Sequence, residues 1–297
     1  MMKRRISFLL VLAVLGLPAL SVAHDPPGEL FFMVNFPDNA VPTIDGDHSD
    51  WGIVPDNPYT VRSDRLFDPA QFQQAGRGQF DPSDVNIRHR FGWNDNANKI
   101  YFATEIFDNF HGIDREDPAR HWNDDNWEVG VNPDHTPSEE HSRNVDDIPI
   151  NDFFYKFVVP PLGGIYQSLE PIGDLAWLQD GTDYVQFGWS FTGEQYGEST
   201  YFYELAVIPI WALPRENATP DNTEFMDLEE NDVIHLSVAM GDIEAGDEYQ
   251  GFWTLTAEGS NTSVTDFVAA PPDPSLGDPK SAVESTTWGA IKAGYIE

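Results

Sequence analysis

The 297-residue chain contains no cysteine, which excludes disulfides, cysteine metal ligands and cysteine nucleophiles. Basic residues are also scarce, because 16 Lys and Arg stand against 50 Asp and Glu and give a formal net charge of −34. Such a protein repels phosphate backbones and anionic lipid surfaces, so we expect no nucleic-acid partner. Neutral glycans and cations are compatible ligands, although an acidic surface also serves solubility in salt alone.

Long apolar runs are absent except at the N-terminus, where residues 6–20 follow Lys3, Arg4 and Arg5. That run is shorter than the ~20 residues of a spanning helix, so membrane insertion is the less favoured interpretation. Ala23 ends a stretch of small residues that suits signal-peptidase cleavage. We therefore predict a signal peptide over 1–23 and a single secreted domain over 24–297, which is extracellular, periplasmic or at the cell surface.

Sustained 3.6-residue periodicity is missing as well. Short alternating segments separated by Gly, Pro, Asn and Asp instead predict an all-β fold, an antiparallel β-sandwich of two sheets. The predicted strands cover residues 84–93, 99–107, 127–131, 152–159, 173–179, 182–191, 200–209, 233–240, 250–257 and 287–293. Long connections between them are expected to carry any binding site, and they cover 55–82, 109–126, 134–150, 213–231 and 258–283.

Motifs for catalysis are lacking too. The sequence has no Gly-x-Ser-x-Gly elbow, no phosphate-binding glycine loop and no His-Glu-x-x-His pair. Acidic residues are so numerous that no pair of them indicates glycoside hydrolysis. The sequence therefore favours a protein that is not an enzyme.

The segment 121–134 combines aromatic and acidic side chains with the start of a strand. An exposed aromatic plane beside carboxylates is suited to hold sugars, since C–H faces stack on indole rings. Trp122 lies between His121 and Asn123, which predicts an exposed ring. The tryptophans within apolar strands are predicted to be core residues, namely Trp127, Trp189, Trp211 and Trp253.

A series of short motifs resembles family 9 carbohydrate-binding modules. It opens with residues 44–51, Ile-Asp-Gly followed by Asp50 and Trp51, and includes the Trp122 to Glu128 segment. The other matching segments, in the same order as in that family, are 91–95, 100–103, 106–108, 203–211, 238–242 and 288–291. The order of these anchors makes the resemblance more specific than any one of them.

This resemblance implies a β-sandwich that binds saccharides, as an accessory to secreted glycoside hydrolases, with calcium as a structural ion. By position, Trp122 is one aromatic wall of the sugar site, Glu128 accepts hydrogen bonds from hydroxyls and Lys156 donates them. The second wall of the family has no matching tryptophan here, and Phe267 is its candidate replacement.

Calcium requires six to eight hard oxygen ligands. Asp108, Asp114 and Asp124 offer carboxylates around one predicted loop, and the N-terminal turn adds Asp45 and Asp50. These five residues are the predicted metal ligands.

Two other functions remain open. A haem-binding electron-transfer sandwich would use a methionine and a histidine as iron ligands, and the candidates are Met33, Met226, Met240, His89 and His235. The second alternative is a calcium-stabilised surface or matrix protein that has lost sugar binding.

Overall fold

The computed structural model describes residues 25–68, 81–113, 123–135, 153–158, 166–170, 175–194, 196–246, 248–257 and 264–276. The predicted signal peptide, Asp114, Trp122 and the predicted strand 287–293 lie outside these residues. No helix in this part of the chain has the length and apolar character needed to cross a membrane. The strands are β1 Phe31–Asn35, β2 Thr60–Arg62, β3 Val85–Asn94, β4 Lys99–Asp108, β5 Asn126–Asn132, β6 Phe153–Val158, β7 Tyr166–Glu170, β8 Val185–Gly193, β9 Ser199–Val207, β10 Ile210–Ala212, β11 Glu224–Phe225, β12 Val233–Glu244, β13 Glu248–Thr254 and β14 Phe267–Pro272.

The strands form two layers that are joined through β12. The first layer places β14, β1, β3, β4, β9 and β8 side by side, with β2 on β3. The second layer contains β7, β6, β5 and β12, with β13 on the other side of β12. Since β12 pairs with β14 at its start and with β5 and β13 further along, the sheet folds over on this strand. The all-β sandwich predicted from the sequence is confirmed.

Helical structure in the described residues is limited to single turns. The one α-helical turn covers Asp56–Tyr59. The 3₁₀ turns are His48–Ile53, Ser63–Arg65, Ala176–Leu178, Pro220–Asn222 and Pro274–Leu276. These turns connect strands, and three of them contribute buried side chains to the interior, namely Trp51, Tyr59 and Leu178.

The core lies between the two layers and is rich in aromatic rings. Along β5, Trp127, Val129 and Val131 point inward, and Trp127 stacks on Tyr203 of β9 at 5.3 Å between ring centroids. Trp127 and Trp253 are buried, as predicted, and Trp189 packs partly buried against the core. Trp211 is 44% exposed, so its predicted core position was wrong. It lies in the small β10–β11 sheet, which is separate from the large sheet.

Three local predictions require correction. β1 pairs in parallel with both β14 and β3, within a sheet predicted to be antiparallel. β14 lies in the segment 258–283, which was predicted to be a loop. A strand forms there because its two prolines stand at the strand end, so the hydrogen bonds before them are kept. Within the predicted strand 173–179, the described residues contain a 3₁₀ turn over Ala176–Leu178, so this part of the segment does not pair across Asp180-Gly181 as a hairpin.

A buried carboxylate attaches the N-terminal segment to the first layer. Glu204 of β9 is fully buried, and it accepts hydrogen bonds from the Trp51 indole at 2.8 Å, the Gly46 amide at 2.6 Å and the Asp45 amide at 3.1 Å. Gly46 has φ +85°, and a Cβ there would lie 2.3 Å from the Trp189 carbonyl oxygen. The Ile-Asp-Gly to Trp51 motif is therefore a structural element that closes over β8 and β9.

Candidate metal centre

Three buried aspartates meet at one end of the sandwich. Asp108 ends β4, Asp125 immediately precedes β5, and Asp242 lies near the end of β12. Each continues the inward-facing row of its strand, since alternate residues share a face. One carboxylate oxygen from each lies within 4.8 Å of the others, and the residues are 1%, 0% and 2% exposed.

The centre connects the two layers and the ends of one loop. Asp108 belongs to the first layer, whereas Asp125 and Asp242 belong to the second. Asp108 and Asp125 also stand at either end of the connection that carries Trp122. A ligand shared by the three carboxylates would therefore hold both layers and both ends of that connection together.

Hydrogen bonds already orient two of the carboxylates. Asp125 accepts from the amides of Gly112 at 2.8 Å and Ile243 at 2.7 Å, and Asp108 accepts from the Phe110 amide at 2.9 Å. Oδ2 of Asp108 and Oδ2 of Asp242 are buried and have no hydrogen-bond donor in the described part of the chain. Buried oxygens of this kind are costly unless a cation or a proton compensates them.

The geometry fits a hard divalent cation. Calcium–oxygen distances are about 2.4 Å, so ligands on opposite sides of one ion are separated by roughly 4.8 Å. The three carboxylates satisfy this limit and leave further positions to backbone carbonyls or water. A bound Ca²⁺ would supply the positive charge that these three acids lack.

The pKa values of these acids show how unfavourable three buried negative charges are without a cation. Burial and the negative charges of Glu244 and Asp84 raise the pKa of Asp108 to about 7. Burial and the neighbouring Asp108 raise the pKa of Asp242 to about 8. Burial raises the pKa of Asp125 well above its ordinary value, with Asp108 and Asp242 as further causes.

Cation binding should therefore depend on pH. Folded Asp108 and Asp242 keep their protons up to about pH 7 and 8, whereas the unfolded chain releases them near 3.8. The unfolded state then binds fewer protons between these values, so the cation-free protein loses stability as pH rises through this window.

Protons compete with the cation for the carboxylates. The rise in melting temperature on adding Ca²⁺ should therefore be larger at about pH 8 than at about pH 5. Differential scanning fluorimetry at both pH values measures it, and an equal rise at both would contradict the prediction.

The predicted metal ligands fall into different places. Asp108 is in the centre, and Asp114 lies outside the described residues. Asp124 is buried beside the centre but is not among the converging oxygens, because alternation turns it to the other side from Asp125. Asp45 and Asp50 are exposed and accept hydrogen bonds from amides of their own turn, which corrects their assignment to the same site.

Asp125 and Asp242 were missed. Asp125 directly precedes a predicted strand and lies two residues before Trp127. Because alternate residues of a strand share a face, this spacing could have indicated that Asp125 points inward. Asp242 follows the predicted strand 233–240, which the structure extends to Glu244. Their proximity depends on the register that pairs Asn126 with Gly241, which no local pattern in the sequence contains.

Among the predicted sugar-contact residues, two occupy paired strand positions, one is a core residue, and Trp122 lies outside the described residues. Glu128 on β5 and Lys156 on β6 are paired in register, so the structure brings these two positions together. Glu128 is only 5% exposed, which means that most of its surface already contacts protein. Phe267 is fully buried, with its ring stacked on Phe31 at 5.0 Å. It is a core residue of β14, and its assignment as a second sugar wall was wrong.

The candidate iron ligands have ordinary structural roles. Nδ1 of His89 contacts the Thr104 hydroxyl at 2.7 Å, and Nδ1 of His235 contacts the Thr265 hydroxyl at 3.1 Å. Met33 and Met240 are buried in the apolar core, and Met226 packs against it. These contacts give no support to a haem site.

Comparison with known proteins yields structural matches alone, since no protein-family model and no curated protein sequence matches the chain. A family 9 carbohydrate-binding module from Caldicellulosiruptor kristjanssonii, solved with cellotriose, is similar at 12% identity and a TM-score of 0.48, over 83% of this chain and 96% of that one. The glucose complex of a family 9 module from the same organism matches at 11% identity and a TM-score of 0.48, over 82% and 97%. A Bacteroides uniformis protein described as carbohydrate-binding matches at 13% identity and a TM-score of 0.45, over 80% and 99%. Family 9 modules are thus among the structures similar to this chain.

Proposed function

We propose that the protein is an exported, non-catalytic saccharide-binding β-sandwich whose binding loop is held in place by calcium. The single observation that carries the proposal is the convergence of Asp108, Asp125 and Asp242 at the two ends of the connection that contains Trp122. A cation there would fix both ends of that connection. Cation binding, and not sugar binding, would then offset the free-energy cost of ordering the loop.

The chemistry of the sequence supports a sugar ligand on this loop. Trp122 is flanked by polar residues, and strand register pairs the backbone positions of Glu128 and Lys156. An indole face, a carboxylate and an ammonium group are the partners that a pyranose ring and its hydroxyls require. The strong negative charge favours a neutral saccharide at this loop.

The Trp122 ring is expected to carry most of the saccharide affinity. Calorimetric titration of the mature protein with a panel of neutral mono- and oligosaccharides should identify a ligand. Trp122→Ala should weaken that ligand's binding by about tenfold or more, because an aromatic contact contributes about 0.5–1.5 kcal/mol beyond the area it buries and about 1.4 kcal/mol corresponds to tenfold. Trp211→Ala is the matched control, because Trp211 is an exposed tryptophan outside the loop. Its affinity should equal that of the wild type.

Two results would refute the sugar assignment. One is the absence of binding to any neutral saccharide in the panel in the presence of Ca²⁺. The other is an unchanged affinity in Trp122→Ala. The burial of Phe267 favours one alternative, a calcium-stabilised protein without a sugar site, and this alternative predicts both results together with a normal response to Ca²⁺.

A further inference from the structure

Arginines are concentrated on the outer face of the first layer, although the chain is strongly acidic. Arg62 on β2 lies directly opposite Arg88 on β3, and Arg90 is two residues further along the same face. Like charges directly opposite each other across a strand pair are destabilising. Three arginines at adjacent positions, in a chain with 16 basic residues in total, therefore require a compensating partner.

The acids nearby compensate these arginines incompletely. Asp56 bonds Arg62 at 2.9 Å, whereas Glu105 approaches Arg88 only to 3.9 Å, which is too long for a hydrogen bond. Nε of Arg88 and Nε of Arg90 are buried and have no acceptor among the described residues. Burial and the charge of Arg88 lower the pKa of Arg90. The Arg88 side chain, which is 32% exposed, thus keeps guanidinium N–H groups that Glu105 does not satisfy and that a ligand can reach.

A small cavity opens beside Arg62 and Arg88, and Arg90 is not part of its lining. Its volume is about 70 Å³. Register explains its lining, because Arg88 pairs with Glu105, Asn86 pairs with Phe107, and Phe107 pairs with Thr200 on β9. We define the arginine groove as the side chains of Arg62, Asn86, Arg88, Glu105, Phe107 and Thr200.

The groove combines a site for a planar anion with a site for a sugar ring. Guanidinium groups bind carboxylates with two parallel hydrogen bonds. The Phe107 ring is partly exposed and offers a face to C–H groups, while Asn86, Glu105 and Thr200 offer partners to hydroxyls. The cavity is too small for a whole pyranose, so it would take the carboxylate and leave the ring on Phe107.

We propose that the arginine groove binds the carboxylate of an acidic sugar residue, a hexuronate, through side chains that do not belong to the Trp122 loop. A polyanion is disfavoured by the overall charge of −34. A single carboxylate is governed by its nearest charges, because screening limits distant ones to about 8 Å at physiological ionic strength. The site therefore selects one acid group on an otherwise neutral saccharide.

Titration with glucuronate and with a glucuronate-containing oligosaccharide tests the proposal. Binding should be seen by calorimetry at physiological ionic strength, where distant charges are screened, and should weaken when salt is raised further because the arginine–carboxylate attraction is then screened as well. Arg88→Gln should reduce the affinity by roughly tenfold to a hundredfold, and Arg88→Lys should reduce it as well, because an ammonium group lacks the planar fork. Arg62→Gln gives a second variant at a side chain that is 43% exposed and therefore tolerant of substitution. Lys99→Gln, which removes one positive charge from β4 outside the groove, should retain the wild-type affinity.

Several outcomes would overturn the inference. They are the absence of glucuronate binding, equal binding of glucuronate and glucose, an unchanged affinity in Arg88→Gln, and acetate or sulfate binding as tightly as the hexuronate. Melting curves establish that each variant is folded. Trp122→Ala should leave glucuronate binding unchanged, so failure of this site and failure of the neutral-sugar site are distinguishable.

Discussion

Chelation of divalent cations is expected to lower the melting temperature of the purified protein by roughly 5–10 °C. A ligand present at a hundredfold excess over its dissociation constant stabilises the folded state by about 2.7 kcal/mol, and a domain of this size shifts by about 2–4 °C per kcal/mol. The physical reason is that Asp108, Asp125 and Asp242 form a buried trio of carboxylates without a basic partner in the described residues. Melting curves with EDTA, and then with Ca²⁺ or Mg²⁺ in excess, measure the effect.

A substitution at Asp242 tests whether the effect of Ca²⁺ arises at the three-aspartate centre or elsewhere in the protein. Asp242→Asn removes one of the three charges, so it should abolish most of the Ca²⁺-dependent rise. Without a cation, near pH 8, this variant should be at least as stable as the wild type because repulsion among the acids is reduced. Asp64→Asn is the control at an exposed aspartate. An unchanged melt on chelation, or a full calcium response in Asp242→Asn, would exclude this centre as the cation site.

Replacement of Glu204 by leucine is expected to destabilise the fold by about 3 kcal/mol or more. The carboxylate accepts three hydrogen bonds in a buried position, and its loss leaves the donors on Trp51, Gly46 and Asp45 without their acceptor. Unsatisfied buried donors cost about 1–3 kcal/mol each. Urea unfolding of the wild type and the variant measures the difference in the free energy of unfolding.

Glu224→Leu provides the matched control, because Glu224 is exposed on β11. It should change the free energy of unfolding by no more than about 0.5 kcal/mol. Glu204→Gln should give an intermediate loss, since the amide keeps one acceptor oxygen but replaces the other by a donor. A loss in Glu204→Leu as small as that of the control would show that the N-terminal segment does not depend on this carboxylate.

Local periodicity accounts for the parts of the fold that were predicted. The β3–β4 hairpin and the inward row of Trp127, Val129 and Val131 follow from alternation over neighbouring residues. The incorrect predictions concern segments whose strand-pairing partners are distant in the chain. β14 is a strand because β1 and β12 flank it, and the same pairing buries Phe267 against Phe31.

The candidate metal centre was predicted in part for the same reason. Asp108 directly follows the predicted strand 99–107 and begins a long acidic connection, and that is visible in the sequence. Asp45, Asp50 and Asp124 were equally acidic candidates, yet the structure excludes them from the converging oxygens. With 50 acidic residues, chemical type alone does not select among carboxylates.

Composition and alternation alone thus establish an acidic, cysteine-free, all-β chain with a polar connection around Trp122, because these properties depend on residues close together in the chain. The meeting of Asp108 with Asp125 and Asp242, and of Arg62 with Arg88, is decided by tertiary structure. Both depend on strand register and on the closure of one layer over the other, which bring side chains from separate strands to within a few ångströms.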